Sequence, residues 1–265
     1  MKRLALLICA AAVSVFLPRA VAAQDMLQHV DLSAPAMTRA DLTREQVIER
    51  MQAGEVGIPA SFADMSLNGL DLSGLDLRGA DFRAARLNGT KLSGAQLKGA
   101  ILDQAWMLKA DLTGADLKGA SLFQTQLQGG RLDKADFSGA RIAANMSNSS
   151  LMGANFTGAN LAADMRNQSM GLMRAVFTSA NLDDASFARA DLGRANLEFA
   201  SLKQADFSGA NLMGALLGGA NLTGADITGA NFAGADLDTA RLAALKGEGS
   251  TNIAEAKNLS KARRD

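Results

Sequence analysis

Large apolar residues recur at every fifth position over residues 62–242. The clearest passage, residues 220–237, reads A-N-L-T-G-A-D-I-T-G-A-N-F-A-G-A-D-L, with Leu222, Ile227, Phe232 and Leu237 in the large slot. Alanine stands two residues before each large residue, and Asn or Asp stands between them. A period of five fits neither the helix at 3.6 nor the strand at 2.0, so the pattern marks a structural repeat. If each unit forms one side of a square coil, the large residue and the alanine point inward, the alanine being small because it sits near a corner. The other three positions face water, and their Gly, Ser and Thr suit tight turns. One coil cannot bury its own upper and lower surfaces, so coils must stack.

With these units the chain resembles pentapeptide-repeat proteins, whose motif is A-(D/N)-L-x-x, over about two thirds of its length. The resemblance implies an all-β solenoid, a right-handed quadrilateral β-helix with four units per coil. The large residues then fall into about nine coils, opening at Phe62, Phe82, Leu102, Leu122, Ile142, Leu161, Leu182, Leu202 and Leu222. At ~4.8 Å per strand the coils make a rod roughly 40 Å long. Short helices are expected to cap both ends.

The register breaks in one place. The steps Ile142 to Met146 and Leu161 to Met165 are four residues, in the similar passages I-A-A-N-M-S-N and L-A-A-D-M-R-N. The step from Met170 to Phe177 is seven. Two losses of one and a gain of two make Ile142 to Leu182 two full coils, which predicts a local bulge on a continuous rod.

Four segments follow. Residues 1–23 read as a signal peptide: basic Lys2 and Arg3, an apolar run from Leu4 to Leu17 that is too short to span a membrane, and a small-residue cleavage site ending at Ala23. Cys9, the only cysteine, would leave with it. This predicts a periplasmic or secreted protein, with no membrane span in the mature chain. Residues 24–61 form a leader, loosely ordered to about Ala40, and then a capping helix. Thr43 and Gln46 make its capping box, Leu42 and Val47 a hydrophobic staple, Ile48 and Met51 extend the apolar face, and Gly54 ends it. Residues 62–242 are the β-helix. Residues 243–265 form a tail with a second capping helix over residues 250–264, where Asn252 and Glu255 are spaced as a capping pair. In some relatives the C-terminal end mediates dimerisation, so the resemblance makes that end a candidate homodimer surface.

Charge and chemistry narrow the function. The chain has 27 basic and 27 acidic residues, and loss of Lys2, Arg3 and Arg19 leaves 24 against 27. That balance predicts neither a nucleic-acid binder nor a strongly acidic surface. The mature chain has one histidine, His29, and no Cys or Tyr, so neither a Ser-His-Asp arrangement nor a His/Cys metal site is expected. Met146, Met165 and Met170 occupy the large slot and read as core filler, not Cu(I) ligands. No enzyme activity, cofactor or metal is expected. Arg78, Lys98 and Lys118 stack beside Asp76 and Asp116 as a solvated ladder. Apolar residues in water-facing slots are the candidate contacts for a protein partner. Trp106 and Leu108 stand on one face, Ile101 and Phe123 on the adjoining one, Met152, Met173 and Met213 on the face after Trp106, and Val176, Phe199 and Leu216 on the last. The expected function is a non-catalytic scaffold of the bacterial envelope. The resemblance offers a DNA-mimicking, gyrase-protecting protein as an alternative, and an effector acting on host proteins is a third.

Overall fold

Each side of the coil is too short for a long strand, so hydrogen bonding appears as ladders of single bridges. The computed structural model describes residues 30–53, 58–163 and 173–265. Residues 1–23, expected from the sequence to be a signal peptide, lie outside the described residues, as do His29, Gly54, Met165 and Met170. Asp71 pairs in parallel with Lys91, Lys91 with Asp111 and Asp111 with Arg131, and the other three sides repeat the step of twenty. Among the described residues only β1 (Ser121–Gln126) and β2 (Arg141–Asn145) are long enough to count as strands, and they too are parallel. One side shows the bonding rule. Leu72 donates its N–H to the Lys91 carbonyl at 2.8 Å, Lys91 donates back to the Leu70 carbonyl at 2.9 Å, and Gly74 donates to the Ser93 carbonyl at 3.0 Å. Leu75 then closes the turn onto the Leu72 carbonyl at 3.3 Å. The backbone groups of each side are thus satisfied by the coils above and below. The chain is a parallel β-helix solenoid with four sides per turn, named here side one to side four from Phe62, Leu67, Leu72 and Leu77.

The inward slots hold as the five-residue pattern predicts. Among the described residues, the large residues from Phe62 to Leu242 and the alanines beside them are buried. Phenylalanine stacks along one side: Phe137, Phe156, Phe187 and Phe207 follow one another at centroid spacings of 4.9, 4.9 and 5.0 Å, nearly coplanar. That spacing is the coil-to-coil distance, so each ring sits flat on its neighbour. Met146 is fully buried, as core filler should be.

The register break resolves differently from the expected bulge. Gln126 pairs with Asn145 and Arg141 with Asn160, each nineteen residues on, so one residue is lost between Ile142 and Met146 as predicted. Asn145 then pairs with Val176, thirty-one residues on, and Asn160 with Asp191. Leu161 therefore stacks under Leu192, not Leu182, and the later coils open at Leu192, Leu212 and Phe232. The step from Leu161 to Phe177 is therefore sixteen residues, eleven more than one side takes. The two similar passages are not equivalent: on the ladder Asn145 is followed by Val176, and residues 164–167 of L-A-A-D-M-R-N lie outside the described residues.

At the N-terminal end, α1 (Pro35–Thr38) and α2 (Arg44–Gln52) precede the first coil. The leader is more ordered than expected from Asp31 to Ala40. Ala40 forms an antiparallel bridge with Leu67, and Asn68 donates to the carbonyls of Ala36 and Arg39 at 3.2 and 3.3 Å. The Thr43–Gln46 capping box forms in full, Val47 is fully buried, and Leu42 and Met51 pack against the core. Arg44 reaches the Asp71 and Ser73 carbonyls, fixing α2 to the first coil.

At the C-terminal end the expected helix is absent, and three 3-10 turns stand in its place: Glu248–Ser250, Ile253–Glu255 and Leu259–Lys261. The ladder has already claimed the backbone, since Lys257 donates to the Ala235 carbonyl at 2.7 Å and Arg263 to the Ala240 carbonyl at 2.8 Å. Asn252 caps no helix. Its Oδ1 accepts the Phe232 N–H at 2.7 Å and its Nδ2 donates to Asn231 Oδ1 at 2.8 Å, extending a side-chain ladder through Asp191, Asn211 and Asn231.

Candidate interaction surface

The Asn or Asp before each large residue has a definite task. Its Oδ1 accepts the N–H of the residue two places on, as Asp111 does from Thr113 at 3.0 Å and Asn221 from Thr223 at 3.1 Å, which fixes the turn. A residue without an acceptor in that slot leaves the N–H open. For Leu108 the gap created by Trp106 is filled from the coil below, where Asn88 Oδ1 accepts the Leu108 N–H at 3.0 Å. Asp103 does the same for Phe123 at 2.9 Å and Asp133 for Met152 at 2.9 Å, and each also accepts a serine hydroxyl, from Ser121 and Ser150 respectively. The unusual outward residues are thus built into the ladder by their neighbours.

The corrected frame redistributes the candidates. Trp106 stands in a side-two ladder that runs Arg86, Trp106, Gln126, Asn145, Val176, Asn196, Leu216, Asp236 and Lys257. Trp106, Leu108, Val176, Phe199 and Leu216 therefore share one face, where the uninterrupted five-residue count separates them. Trp106 and Leu108 are half-buried. Phe123 is also half-buried, on side one, with the Arg141 guanidinium 5.6 Å from its ring centroid. Met213 moves to side one as well, in the column of Phe123, because Arg194 donates to its carbonyl as Gln104 does to that of Phe123. Met152 stays on side three and is 44% exposed. Met173 lies off the ladder and meets Gln124, whose Nε2 is 3.2 Å from the Met173 sulfur. The six candidates do not form one patch.

One device is not legible in the repeat. The corner residues of one turn, Arg189, Arg194, Phe199 and Gln204, all have left-handed backbones, with φ of 57–60°. The corresponding corners of the next turn are all glycine: Gly209, Gly214, Gly219 and Gly224. Each long side chain lies along the rod over the glycine beyond it; a Cβ at Gly219 would stand 2.6 Å from Phe199 Cδ1, and one at Gly214 would stand 3.4 Å from Arg194 Cγ. Phe199 is 65% exposed on this collar. Leu216 stands one turn beyond Asn196, between Gly214 and Gly219, and is half-buried.

Several charged residues pair locally. Arg78 forks onto Asp76 and Arg83 onto Asp81, holding both carboxyls below the usual range. Lys118 lies 3.0 Å from Asp136 and 3.8 Å from Asp116, and its pKa is raised, chiefly by Asp136. Among the described residues no three His, Cys, Asp or Glu side chains converge as a metal site. Two surface clefts of about 370 Å³ flank α2, one lined by Met51, Gln52, Asp76 and Arg78, the other by Leu42, Gln46, Glu49, Arg50 and Ala53.

Comparison with known proteins agrees with the repeat. The family model described as pentapeptide repeats matches in eight copies, over residues 66–104, 109–139, 142–162, 172–209 and 205–242. No curated protein sequence matches. Among solved structures, the chain is similar to HetL, a pentapeptide repeat protein involved in heterocyst differentiation regulation in the cyanobacterium Nostoc sp. strain PCC 7120. It has 29% identity, covering 84% of this chain and 94% of that one, with a TM-score of 0.47. Full-length QnrB1, a plasmid-mediated fluoroquinolone resistance protein, has 19% identity over 76% of this chain and 93% of its own, with a TM-score of 0.46. A pentapeptide repeat protein of the Arabidopsis thaliana thylakoid lumen has 32% identity over 43% of this chain and 70% of its own, with a TM-score of 0.28. With a repeat of this length and a family model covering more than half of the sequence, the chain belongs to the pentapeptide-repeat family.

Proposed function

We propose that the protein is a non-catalytic scaffold of the bacterial cell envelope, a right-handed coil of about nine turns that presents side two to a protein partner. In this reading α2 is the N-terminal cap. The carrying observation is the side-two ladder, where Trp106, Val176 and Leu216 replace the usual Asn or Asp along one face. Trp106 and Leu216 are half-exposed on this face and Phe199 is exposed at its corner, with Val176 buried between them; exposed apolar residues on one face suit protein contact. An interior filled by Leu, Phe, Met and Ala leaves little room for a substrate. The basic residues at Lys109, Lys134, Arg189 and Arg194, spread around the corners, do not suit a DNA-mimicking surface.

The test is in-cell crosslinking with mass spectrometry, comparing wild type with the Trp106→Asn and Leu216→Asn variants. Loss of the same envelope protein from both crosslinked sets supports the reading. Identical sets in all three strains contradict it. Sequencing of the mature N-terminus tests the location, with Gln24 expected as the first residue.

A further inference from the structure

We propose that the segment bound at Trp106 and Leu108 is acidic, held by carboxylates that pair with Arg86 and Lys109. This inference rests on the scaffold reading above and names the chemistry of its partner at side two. Arg86 lies one turn below Trp106 on the ladder, and Lys109 stands at the corner that follows Leu108. From the turn of Ser66 to that of Asn145, no outward slot or corner of side two holds Asp or Glu. Among the described residues neither Arg86 nor Lys109 makes an ion pair. The neighbouring carboxylates are already engaged: Asp103 by Ser121 and Phe123, Asp111 by Thr113 and Arg131, and the leader's Asp41 by the Ser66 N–H. The face around Trp106 is therefore cationic and complementary to an acidic partner.

Two side-chain atoms beside this pair are shielded from water and bonded to nothing: Nε of Arg86, and Oε1 of Gln128, one turn beyond Leu108. A buried donor or acceptor without a partner is costly. Both side chains are half-buried at the surface, where a partner's carboxylate and a partner's N–H or hydroxyl would meet the two needs. Backbone groups are already committed. Trp106 donates its N–H to the Ala85 carbonyl at 2.9 Å and accepts from Leu87 at 2.6 Å, and Asn88 takes the Leu108 N–H. A partner therefore cannot add as a strand and is read through side chains.

Side two already carries a peptide segment on its first two turns. Ala40 of the leader bridges Leu67, the Asn68 amide donates to the Ala36 carbonyl at 3.2 Å, and the Asn88 amide reaches the Met37 carbonyl at 3.5 Å. Trp106 and Leu108 stand on the next turn, so a partner's segment continues that contact. Arg86 and Lys109 are one turn and three residues apart, about 11 Å over the surface. Two carboxylates three or four residues apart in an extended segment reach both cations, with a large apolar residue between them on Trp106.

Trp106 is the only tryptophan and the chain has no tyrosine, so its emission reports binding directly. The probes are two synthetic peptides, one with a leucine midway between two aspartates four residues apart, the other with lysines in place of the aspartates. The acidic peptide should shift the emission saturably, with a Kd of about 1 mM or below at low salt, and the lysine peptide should not. Arg86→Glu places an acid in the slot where the repeat usually has one, so the turn is kept. That variant and Lys109→Glu should each weaken binding of the acidic peptide, and together by about tenfold or more, with thermal unfolding confirming that they fold. The double variant should bind the lysine peptide instead. A wild type that ignores the acidic peptide or takes both peptides alike would overturn the proposal, as would a double variant that binds the acidic peptide as before. The double variant also separates the two readings in the crosslinking experiment. An envelope protein lost with Trp106→Asn but kept with Arg86→Glu and Lys109→Glu leaves the scaffold standing and removes the acidic segment; its loss from both supports the pairing.

Discussion

Phe199 has a backbone conformation that costs a non-glycine residue about 1 kcal/mol or more, and it lies flat on Gly219. Gly219 cannot readily become alanine: its φ is 67°, and the new Cβ would meet the Phe199 ring at 2.6 Å. Gly219→Ala should therefore destabilise the protein by roughly 1–3 kcal/mol in urea unfolding. Part of that loss should return in the double variant with Phe199→Ala, which removes the ring and keeps the positive φ. Equal stabilities for wild type and Gly219→Ala would show that the ring does not rest there. The inward and outward slots were legible because the large residue and alanine recur without a gap from Ala175 to Leu242. The collar was not legible, because a long corner residue becomes informative only when the coil above it, twenty residues on, is known.

The ends of the solenoid show where local signals hold and where they fail. The Thr43–Gln46 box was readable because nothing competes for the first turn of α2. Asn252 and Glu255 have the same spacing, yet the ladder through Asn231 takes the Asn252 side chain and the coil continues in 3-10 turns. The last turn is tied by Arg264, whose two guanidinium nitrogens reach Glu248 at 3.0 and 2.6 Å. That hydrogen bond, chiefly, holds the Glu248 carboxyl below its ordinary value. A lowered carboxylate pKa gives stability that is complete above the unfolded value and is lost as pH falls through the folded one. Hydrogen exchange in residues 246–265 should therefore accelerate, relative to the core coils, as pH is lowered from 6 to below about 4. The Glu248→Gln variant should show most of that loosening already at pH 6. Identical relative protection at both pH values would contradict a role for the pair.

At the scale of the whole molecule, one frame shift decides which residues share a face. A step of twenty from Leu161 lands near Leu182, and the five-residue count alone cannot tell a bulge from an excursion, because both restore a large residue at Phe177. Backbone pairing chooses the excursion, with Asn160 beside Asp191 and Asn145 beside Val176. That choice brings Trp106 and Leu216 onto side two, and the proposed surface depends on it. Cysteine pairs measure it directly, with Cys9 replaced by serine. Neighbouring positions on adjacent coils lie within disulfide reach, whereas positions on different sides do not. Under mild oxidation, the pair Asn160→Cys with Asp191→Cys should form a disulfide detectable by peptide mapping, and the pair Asn160→Cys with Asn181→Cys should stay reduced. The reverse result would restore the uninterrupted frame and separate Trp106 from Leu216.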